Sequence, residues 1–531
     1  MIQVMKEGMR LEDVPELMQN IQLRLPVNAA AQSSVLSKSW LHAWSTIPNL
    51  IFHVPKEEER KQLMLVYIDN TLRKYLRDNI PIESFELNIR LGRNEHASLA
   101  EQWIRSVATK TCLKELSFTI KFDQVYMNLP DEILSCVNIT KIRVWATYVM
   151  DHAVRMTSSH QSPIIKCVSL RELHLFRVRI SQQLLDHILS SCRLLENIKL
   201  KSCSQDLKTI KIKSLPCLDK LEIYTNDIRH CPSVEINNVP NLRMFKCDLQ
   251  PMGIKGMHIL PFSSVHSISL GSSVTELWIG GPGLVTDDAS VDMIKTGVPF
   301  LESLTLNMGF WKLENCRFTF ASIKRLSLIW LPDNHIGINL NTPKLLFLHL
   351  DGSTMPSLSF PTSTTLEEIT FRMKPRKSFD ASFLLKMREA LELSRKCYLH
   401  IAPVWYYRQP PLNMDILDDL KTRLQFPPAT NVETLTFEVC KDECQWESSP
   451  FFHAFFEICH PKQVIVKSDV CKMMLGEVLE KKTKIAAHWP NYLKHVQMRR
   501  PHERWDTLTD SHPRFKNGSR PYYADFKLEW C

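Results

Sequence analysis

One spacing of apolar residues recurs along most of this chain: an apolar residue, two others, an apolar residue, one other, and an apolar residue. Its twelve copies begin at Leu113, Ile139, Leu170, Leu195, Leu218, Leu242, Val274, Leu301, Ile323, Leu345, Leu366 and Val432. They step by 25, 23 and 24 residues from Leu170, and by 22, 22 and 21 residues from Leu301. This step is typical of leucine-rich repeats, each of which adds one short strand to a parallel stack. The spacing predicts an α/β fold, a leucine-rich-repeat solenoid whose curved parallel sheet has a helical or irregular outer face.

Composition and charge argue against several classes of partner. Hydrophobic residues make up 44% of the 531 residues and charged residues 23%, which are ordinary values for a globular chain. The net charge of +9 is small for this length, and short basic runs such as residues 481–484 have glutamates beside them. A nucleic-acid surface needs a concentrated basic face, and a membrane helix needs about 18 successive apolar residues. We therefore expect neither nucleic acid nor a membrane as a partner.

The cysteines indicate a compartment. The fifteen cysteines are odd in number and lack a regular spacing. The first ten residues include Lys6, Glu7 and Arg10 and lack the apolar segment of a secretory leader. Reduced thiols are the rule in the cytosol and nucleus. We therefore expect free cysteines and a cytoplasmic or nuclear location, or both.

The first fifty residues have helical rather than repeat periodicity. A first helix carries apolar residues at spacings that share one face: Leu17, Met18, Ile21 and Leu25. Pro26 ends this helix, and Ser37 is placed to cap a later one that carries Trp40 and Trp44 four residues apart. Three short helices bury two tryptophans poorly by themselves. A partner surface is therefore expected to cover them.

The amino-acid sequence of this segment resembles the F-box of plant F-box/leucine-rich-repeat (RNI-like) proteins. The matching stretches are LEDVPEL at 11–17, LPV at 25–27, SVLSKSWLHAW at 34–44 and IPNL at 47–50. The resemblance adds a small all-helical F-box domain in front of the predicted repeats.

The resemblance implies a substrate-recognition subunit of an SCF-type cullin-RING ubiquitin ligase. The F-box would bind a Skp-type adaptor and through it a cullin, and the repeats would bind an unknown target protein. Transfer chemistry would occur on other subunits, so neither catalytic residues nor a cofactor are expected in this chain. The adaptor contacts would fall on Pro15, Leu17, Ile21, Leu25, Pro26, Val35, Leu36, Ser37, Trp40 and Trp44.

The strand geometry predicts where a target would bind. Successive side chains of a strand alternate between its two faces, so residues beside the buried apolar positions point away from the core. Those expected on the concave face are Glu172, His174, Phe176, Lys199, Tyr224, Lys246, Trp278, Phe347, His349 and Arg372. Exposed aromatic residues with charged neighbours are typical of binding hot spots, whereas isolated exposed apolar residues are common on any surface.

Changes of pattern divide the chain into four segments. An F-box domain is predicted at 9–55, a connecting helix at 56–80, and the leucine-rich-repeat solenoid at 81–475 with an insertion near 375–430. The insertion explains the step of 66 residues between Leu366 and Val432. Residues 476–531 lose the repeat period and gather prolines, which predicts a C-terminal helix and a poorly ordered tail.

Two alternatives to the ligase role stay open. The chain could be a leucine-rich-repeat scaffold that binds proteins without engaging a ligase. It could also be a metal-dependent enzyme using the Cys440 region, where several metal-ligating residue types gather: Cys440, Cys444, His453, Cys459 and His460. The spacing lacks a regular CxxC pair, which favours a structural role for these residues.

The cysteine argument gives a first prediction. Alkylation of the denatured, non-reduced protein should modify most of the fifteen cysteines, because reducing conditions keep thiols free. Mass spectrometry with and without prior reduction measures the number. Most cysteines blocked as disulfides would contradict the cytoplasmic or nuclear assignment.

Overall fold

The structure is a computed structural model of the chain. It describes residues 11, 14–25, 27–91, 94–110, 112–122, 126–147, 154–156, 165–203, 207–225, 232–249, 267–268, 270–280, 288–308, 315–331, 336–361, 366–374, 380–402, 415–424, 426–438, 449–467, 475, 479, 489–499, 504–507 and 524–531. The chain divides into two units, Met1–Gly271 and Ser272–Cys531.

The first unit opens with three short helices and continues with strands and helices in alternation. Its helices are α1 (Pro15–Arg24), α2 (Val27–Ser33), α3 (Lys38–Ser45), α4 (Glu58–Arg77), α5 (Asn94–Lys110) and α6 (Gln182–Ser191), with a 3-10 helix at Asp131–Ser135. Its strands are β1 (Asn49–His53), β2 (Ser84–Leu91), β3 (Glu115–Phe122), β4 (Met127–Asn128), β5 (Lys141–Thr147), β6 (Val154–Met156), β7 (Glu172–Phe176), β8 (Val178–Ile180), β9 (Asn197–Lys201), β10 (Thr209–Lys213), β11 (Lys220–Thr225), β12 (Ser233–Asn237), β13 (Met244–Leu249) and β14 (Ser267–Ile268).

A parallel sheet organises this unit. Strands pair in the order β1, β2, β3, β5, β7, β9, β11, β13, and every pair is parallel. The apolar residues of the repeat lie on one face and are buried, as Leu173 and Leu175 of β7 illustrate. Short strands form two further three-stranded sheets, β4–β6–β8 and β10–β12–β14. We call the face of the main sheet opposite the buried leucines the open face.

The second unit repeats this plan and adds antiparallel strands. Its helices are α7 (Asp288–Gly297), α8 (Ala381–Leu391), α9 (Asp415–Arg423) and α10 (Ser449–Ile458), with a 3-10 helix at Trp489–Tyr492. Its strands are β15 (Glu276–Gly280), β16 (Ser303–Asn307), β17 (Asn315–Phe318), β18 (Arg325–Leu331), β19 (Gly337–Leu340), β20 (Phe347–Gly352), β21 (Ser357–Ser359), β22 (Leu366–Met373), β23 (Ser394–Ile401), β24 (Val432–Phe437), β25 (Gln463–Val466), β26 (Leu493–Arg499), β27 (Asp506–Thr507) and β28 (Ala524–Trp530).

Its main sheet is parallel as far as β25. Strands pair in the order β15, β16, β18, β20, β22, β23, β24, β25. Beyond β25 the pairing is antiparallel, through β28 to β26 and β27. The face opposite the buried leucines is this unit's own open face. None of the described helices is long and apolar enough to cross a membrane.

The predicted α/β class is confirmed, and each of the twelve predicted repeat copies ends in a strand of a main sheet. The helix α4 lies within the predicted connecting helix 56–80. The region 375–430 differs from the predicted insertion, because it contributes β23 to the sheet between β22 and β24. This strand escaped the pattern since Ser394 and Cys397 stand opposite Leu366 and Ile369, where the repeat elsewhere has large apolar residues.

The C-terminal segment also differs from its prediction. Instead of a poorly ordered tail, β26 and β28 form antiparallel pairs whose alternate apolar residues are buried. Most polar residues of these strands are exposed or half-buried, and they lower the average hydrophobicity of the segment. The composition of residues 476–531 therefore resembles that of a poorly ordered tail.

Two buried histidines hold this C-terminal end together. Trp489 Nε1 donates to His453 Nδ1 at 2.7 Å, which fixes the 3-10 helix on α10. The His460 ring stacks on Trp530 of β28 with 4.0 Å between ring centroids. Burial lowers the pKa of both His453 and His460 to about 4, so both rings are neutral near neutral pH.

These histidines predict a pH dependence of stability. Their folded pKa lies below the ordinary 6.5, so the stability they contribute is present above pH 6.5 and is lost as the pH falls toward 4. The loss is at most about 1.4 kcal/mol per pH unit for each ring. Thermal unfolding measured against pH should show it, and His460→Gln should reduce the slope whereas His187→Gln, at an exposed position of α6, should not. An identical slope in His460→Gln would contradict the assignment.

Candidate functional site

The three N-terminal helices have almost no apolar core of their own. Among their described side chains, those buried are Met18, Gln22, Ala30 and Ala43. Two are alanines and one is an amide, so little apolar area leaves water when the helices pack. The arrangement of these helices therefore depends on polar contacts.

Gln22 supplies the main polar contact. Its Nε2 donates to Ser33 Oγ at 2.9 Å and to the Trp40 carbonyl at 3.2 Å, so one side chain of α1 reaches α2 and α3. Gln19 Nε2 donates to the Thr46 carbonyl at 3.1 Å, just beyond α3. These bonds fix the end of α1 beside the turn that joins α2 to α3.

The packed face of α1 differs from the one that the apolar pattern indicates. The pattern groups Leu17, Met18, Ile21 and Leu25, whereas the structure buries Met18 and Gln22 and leaves Leu17 and Leu25 exposed. The side-chain amide of Gln22 donates to two acceptors in the interior. A leucine at this position could not donate to them, so both acceptors would lose a hydrogen bond.

Large apolar side chains stay exposed around this contact. Val35 and Leu36, in the turn between α2 and α3, are 85% and 71% exposed. We call the exposed set the apolar helix surface, which comprises Leu17, Leu23, Leu25, Val35, Leu36 and Leu41. Exposed apolar residues in this number on so small a segment make it a candidate interaction surface.

The structure places nine of the ten residues expected to contact the adaptor. The exposed ones are Pro15, Leu17, Leu25, Val35 and Leu36, and the half-buried ones are Ile21, Ser37, Trp40 and Trp44. Ser37 caps α3, since its Oγ accepts from the Trp40 amide at 3.3 Å. Pro26 lies outside the described residues. Adaptor contact itself stays a prediction.

The open face of the first unit presents side chains in straight rows, because the strand register is regular. One row comprises Ile51, Glu86, Ser117, Arg143, His174, Lys199, Glu222 and Lys246. The next comprises His53, Asn88, Thr119, Trp145, Phe176, Lys201, Tyr224 and Asp248. Glu172 lies in the row before these two, beside Lys141.

The second of these rows places a lysine among three aromatic residues. Trp145 and Phe176 are neighbours, with ring centroids 4.4 Å apart. Lys201 Nζ lies 5.2 Å from the Phe176 ring and 5.5 Å from the Tyr224 ring, which places the cation between two aromatic faces. Burial raises the pKa of Tyr224, so this residue remains a neutral phenol.

A cavity of about 300 Å³ opens between the two rows on strands β3, β5, β7 and β9. Charged and aromatic side chains from both rows line it, among them Arg143, Trp145, His174, Phe176, Lys199 and Lys201. Every one of these belongs to the open face, so the cavity is accessible without displacement of the core. We call it the open-face cavity.

Ion pairs hold two of the lining cations in place. Arg143 Nη2 lies 2.6 Å from Glu172 Oε2, and Lys199 Nζ lies 2.9 Å from Glu222 Oε2. Partial burial opposes the ionisation of Glu172, but Arg143 outweighs it and lowers the pKa of that carboxyl. Burial lowers the pKa of His174 below its ordinary value, and Arg143 adds to the effect, so the imidazole is neutral near neutral pH.

A second cavity, of about 610 Å³, lies between α4 and α5. Its polar groups contact one another. Trp103 Nε1 donates to Asp69 Oδ1 at 3.2 Å, and Gln62 Nε2 lies 3.5 Å from His96 Nε2. These contacts join the two helices, which gives the groups a packing role.

The second unit places the remaining four predicted residues on its own open face. Trp278 and His349 share one row, separated by the residues of β16 and β18. Phe347 lies in the adjacent row under the guanidinium of Arg325, whose Cζ is 4.8 Å from the ring centroid. Arg372 Nε lies 3.8 Å from Asp351 Oδ2. Target contact by any of the ten face residues stays a prediction.

An unpredicted aromatic residue also stands out in this unit. Trp330 is exposed and has a φ of 58°, which is rare for a bulky residue. It lies within a register shift of β18 between Leu328 and Leu331, and Leu331 faces Gly352. A Cβ at Gly352 would lie 2.4 Å from the Leu331 Cβ, so glycine is required for this approach. Lys374 Nζ lies 5.2 Å from the Trp330 ring.

The sequence pattern did not identify several residues that lie in the open-face cavity or on the apolar helix surface. Trp145 and Lys201 follow the last apolar residue of their repeats as Phe176 does, so the same rule would have selected them. Leu23 and Leu41 of the apolar helix surface had no such signal, because helix packing decides which leucines stay exposed.

The metal-site hypothesis concerns the C-terminal end. Cys440 and Cys444 lie outside the described residues. His453 accepts from Trp489, His460 stacks on Trp530, and Cys459 Sγ donates to the Phe455 carbonyl at 3.3 Å. Among the described residues, no group of three or more His, Cys, Asp or Glu side chains could hold a metal ion.

Comparison with known proteins adds to this geometry. A family model for the leucine-rich repeats of FBD-associated F-box protein At5g56370 matches residues 100–261. The chain is 26% identical over 245 residues to "F-box/LRR-repeat protein At3g26922" of Arabidopsis thaliana. The aligned region covers 45% of this chain and 74% of that protein. It is 26% identical over 319 residues to "Putative F-box/LRR-repeat protein At4g15060" of the same plant. This aligned region covers 60% of this chain and 66% of that protein.

The fold and the matched repeats together define the class. Parallel strands at this spacing, with one face buried and one open, are consistent with leucine-rich repeats, and the match includes every residue named in the lining of the open-face cavity. The relatives confirm the resemblance to the plant F-box/leucine-rich-repeat family.

The role of Gln22 gives a prediction. Gln22→Ala removes the two hydrogen bonds of the Gln22 side chain and leaves a small cavity, which should cost about 2 kcal/mol of local stability. Hydrogen exchange over residues 15–45 of the full chain should accelerate accordingly. Gln32→Ala, at an exposed position of α2, should leave the exchange unchanged. Equal protection in both variants would show that Gln22 does not fix these helices.

Proposed function

We propose that this protein is the substrate-recognition subunit of an SCF-type cullin-RING ubiquitin ligase. Helices α1 to α3 bind a Skp-type adaptor, which holds the cullin, and the open faces of the repeats bind the target protein. Ubiquitin transfer takes place on other subunits, so this chain requires no catalytic residue and no cofactor. A cytoplasmic or nuclear location accompanies the proposal.

The observation that carries the proposal is the apolar helix surface. Val35 and Leu36 are adjacent and largely exposed, on helices that bury few apolar side chains among themselves. Covering a leucine or valine contributes about 1.5–3 kcal/mol, so a partner that covers this turn gains substantially. The F-box names of the relatives support a Skp-type adaptor as that partner.

The open faces support the second half of the proposal. Their outward rows combine aromatic rings with paired charges, which is the composition of protein-binding hot spots. Acidic residues stand among the basic ones, which disfavours nucleic acid as the partner.

One substitution tests adaptor binding. Leu36→Asp should weaken the complex of the full chain with a purified Skp-type adaptor by a few kcal/mol, because a charge would be buried without a partner. Its melting temperature should stay near that of the unchanged protein, since Leu36 is exposed. Calorimetric titration measures the affinity.

Leu194→Asp provides the matched control, since Leu194 is exposed at a site before β9 and outside the apolar helix surface. It should bind the adaptor normally. No adaptor binding by the unchanged protein would instead favour a repeat scaffold without a ligase. Equal loss in both variants would show that the effect is not specific to the apolar helix surface.

A further inference from the structure

We propose that the open-face cavity binds an extended acidic segment of the target protein, with a carboxylate against Lys201 and an apolar side chain on Trp145 and Phe176. This inference rests on the proposed function, because it identifies the occupant as the target. The binding itself requires no adaptor. Charge complementarity and the position of the aromatic rings carry the argument.

The charge of the lining points to an anionic group. Arg143, Lys199 and Lys201 line the cavity, and no carboxylate is among its lining residues. Glu172 and Glu222 offset two of these cations from outside the lining, and the third leaves a net positive charge that attracts an anion. Asp and Glu side chains are the anionic groups that an unmodified protein segment presents.

Lys201 is the cation best placed to receive such a group. Arg143 and Lys199 are paired with Glu172 and Glu222. Within the described part of the chain, Lys201 has ring contacts with Phe176 and Tyr224 but no carboxylate within ion-pair distance. The rings hold its ammonium at the cavity without neutralising it, so a carboxylate can bind there with charge-assisted hydrogen bonds.

The neighbouring acids explain why a protein segment fits better than a polyanion. Glu172 and Glu222 lie beside the cavity on the same open face. A nucleic acid would bring further phosphates against these carboxylates, whereas a segment with separated acidic residues would not. The site therefore suits discrete negative charges.

The aromatic pair supplies the second contact. Trp145 is 43% exposed and lies against Phe176, which makes a platform for an apolar side chain. Trp145 and Lys201 stand two strands apart, a distance of about 10 Å. An extended chain covers this distance with about three residues. The expected segment therefore has an acidic residue about three positions from an apolar one.

Selection from a random peptide library on the immobilised full chain, without adaptor, tests the proposal. The selected peptides should be enriched in Asp or Glu near Leu, Ile or Phe. A synthetic peptide of the enriched composition should lose about tenfold or more in affinity toward Lys201→Glu, because attraction becomes repulsion. Trp145→Ala should also weaken it, and Gln in place of the acidic residue of the peptide should have the same effect.

Lys220→Glu is the matched control, because Lys220 is exposed on β11 of the same sheet and does not line the cavity. It should bind the peptide normally, and both lysine variants should keep the melting temperature of the unchanged protein. Selection without acidic enrichment, or equal affinity of Lys201→Glu, would overturn the proposal. Preferential binding of a single-stranded RNA oligonucleotide that depends on Lys201 would also overturn it.

The two proposals fail in different ways. Absence of acidic-peptide binding with normal adaptor binding would remove the acidic-segment inference and leave the receptor role. Peptide binding without adaptor binding would retain the inference for a repeat scaffold and remove the ligase assignment.

Discussion

The alternation of side chains along parallel strands is the constraint on which the rest of this structure depends. Each repeat must bury leucines on one face of its strand, as Leu173 and Leu175 show, and neighbouring strands keep the same register. The residues between the leucines are therefore aligned across strands whether or not they contribute to stability. Regular burial on one face thus produces regular rows on the other, and the open-face cavity is a consequence of those rows.

The N-terminal helices are stabilised differently from the repeats. They have no repeated neighbours to stack against, and a polar contact from Gln22 takes the place of a large apolar core. Their leucines consequently remain outside, which suits a segment whose partner is another protein. The proposed receptor therefore combines two recognition surfaces of different chemistry: an apolar one on helices, and an aromatic and charged one on a sheet.

Much of the fold could be predicted from the sequence, because leucine spacing reports burial directly. The pattern failed at β23, where Ser394 and Cys397 replace large apolar residues, and at β26 and β28, whose strands alternate in a segment of polar composition. The candidate sites were harder to predict. Phe176 could be selected from its own repeat, but its contact with Trp145 depends on a register between distant segments. Likewise, the burial of Gln22 depends on acceptors supplied by other helices.

The central claim is that one chain joins a Skp-type adaptor to a target protein. Mass measurement in solution of the full chain mixed with an equimolar amount of purified adaptor tests its first requirement directly. We expect a single complex with one copy of each protein, and its loss on substitution of Leu36 by aspartate, because the exposed turn would lie at the contact. Two separate species at every concentration, or a complex that forms equally well with the substituted chain, would contradict it.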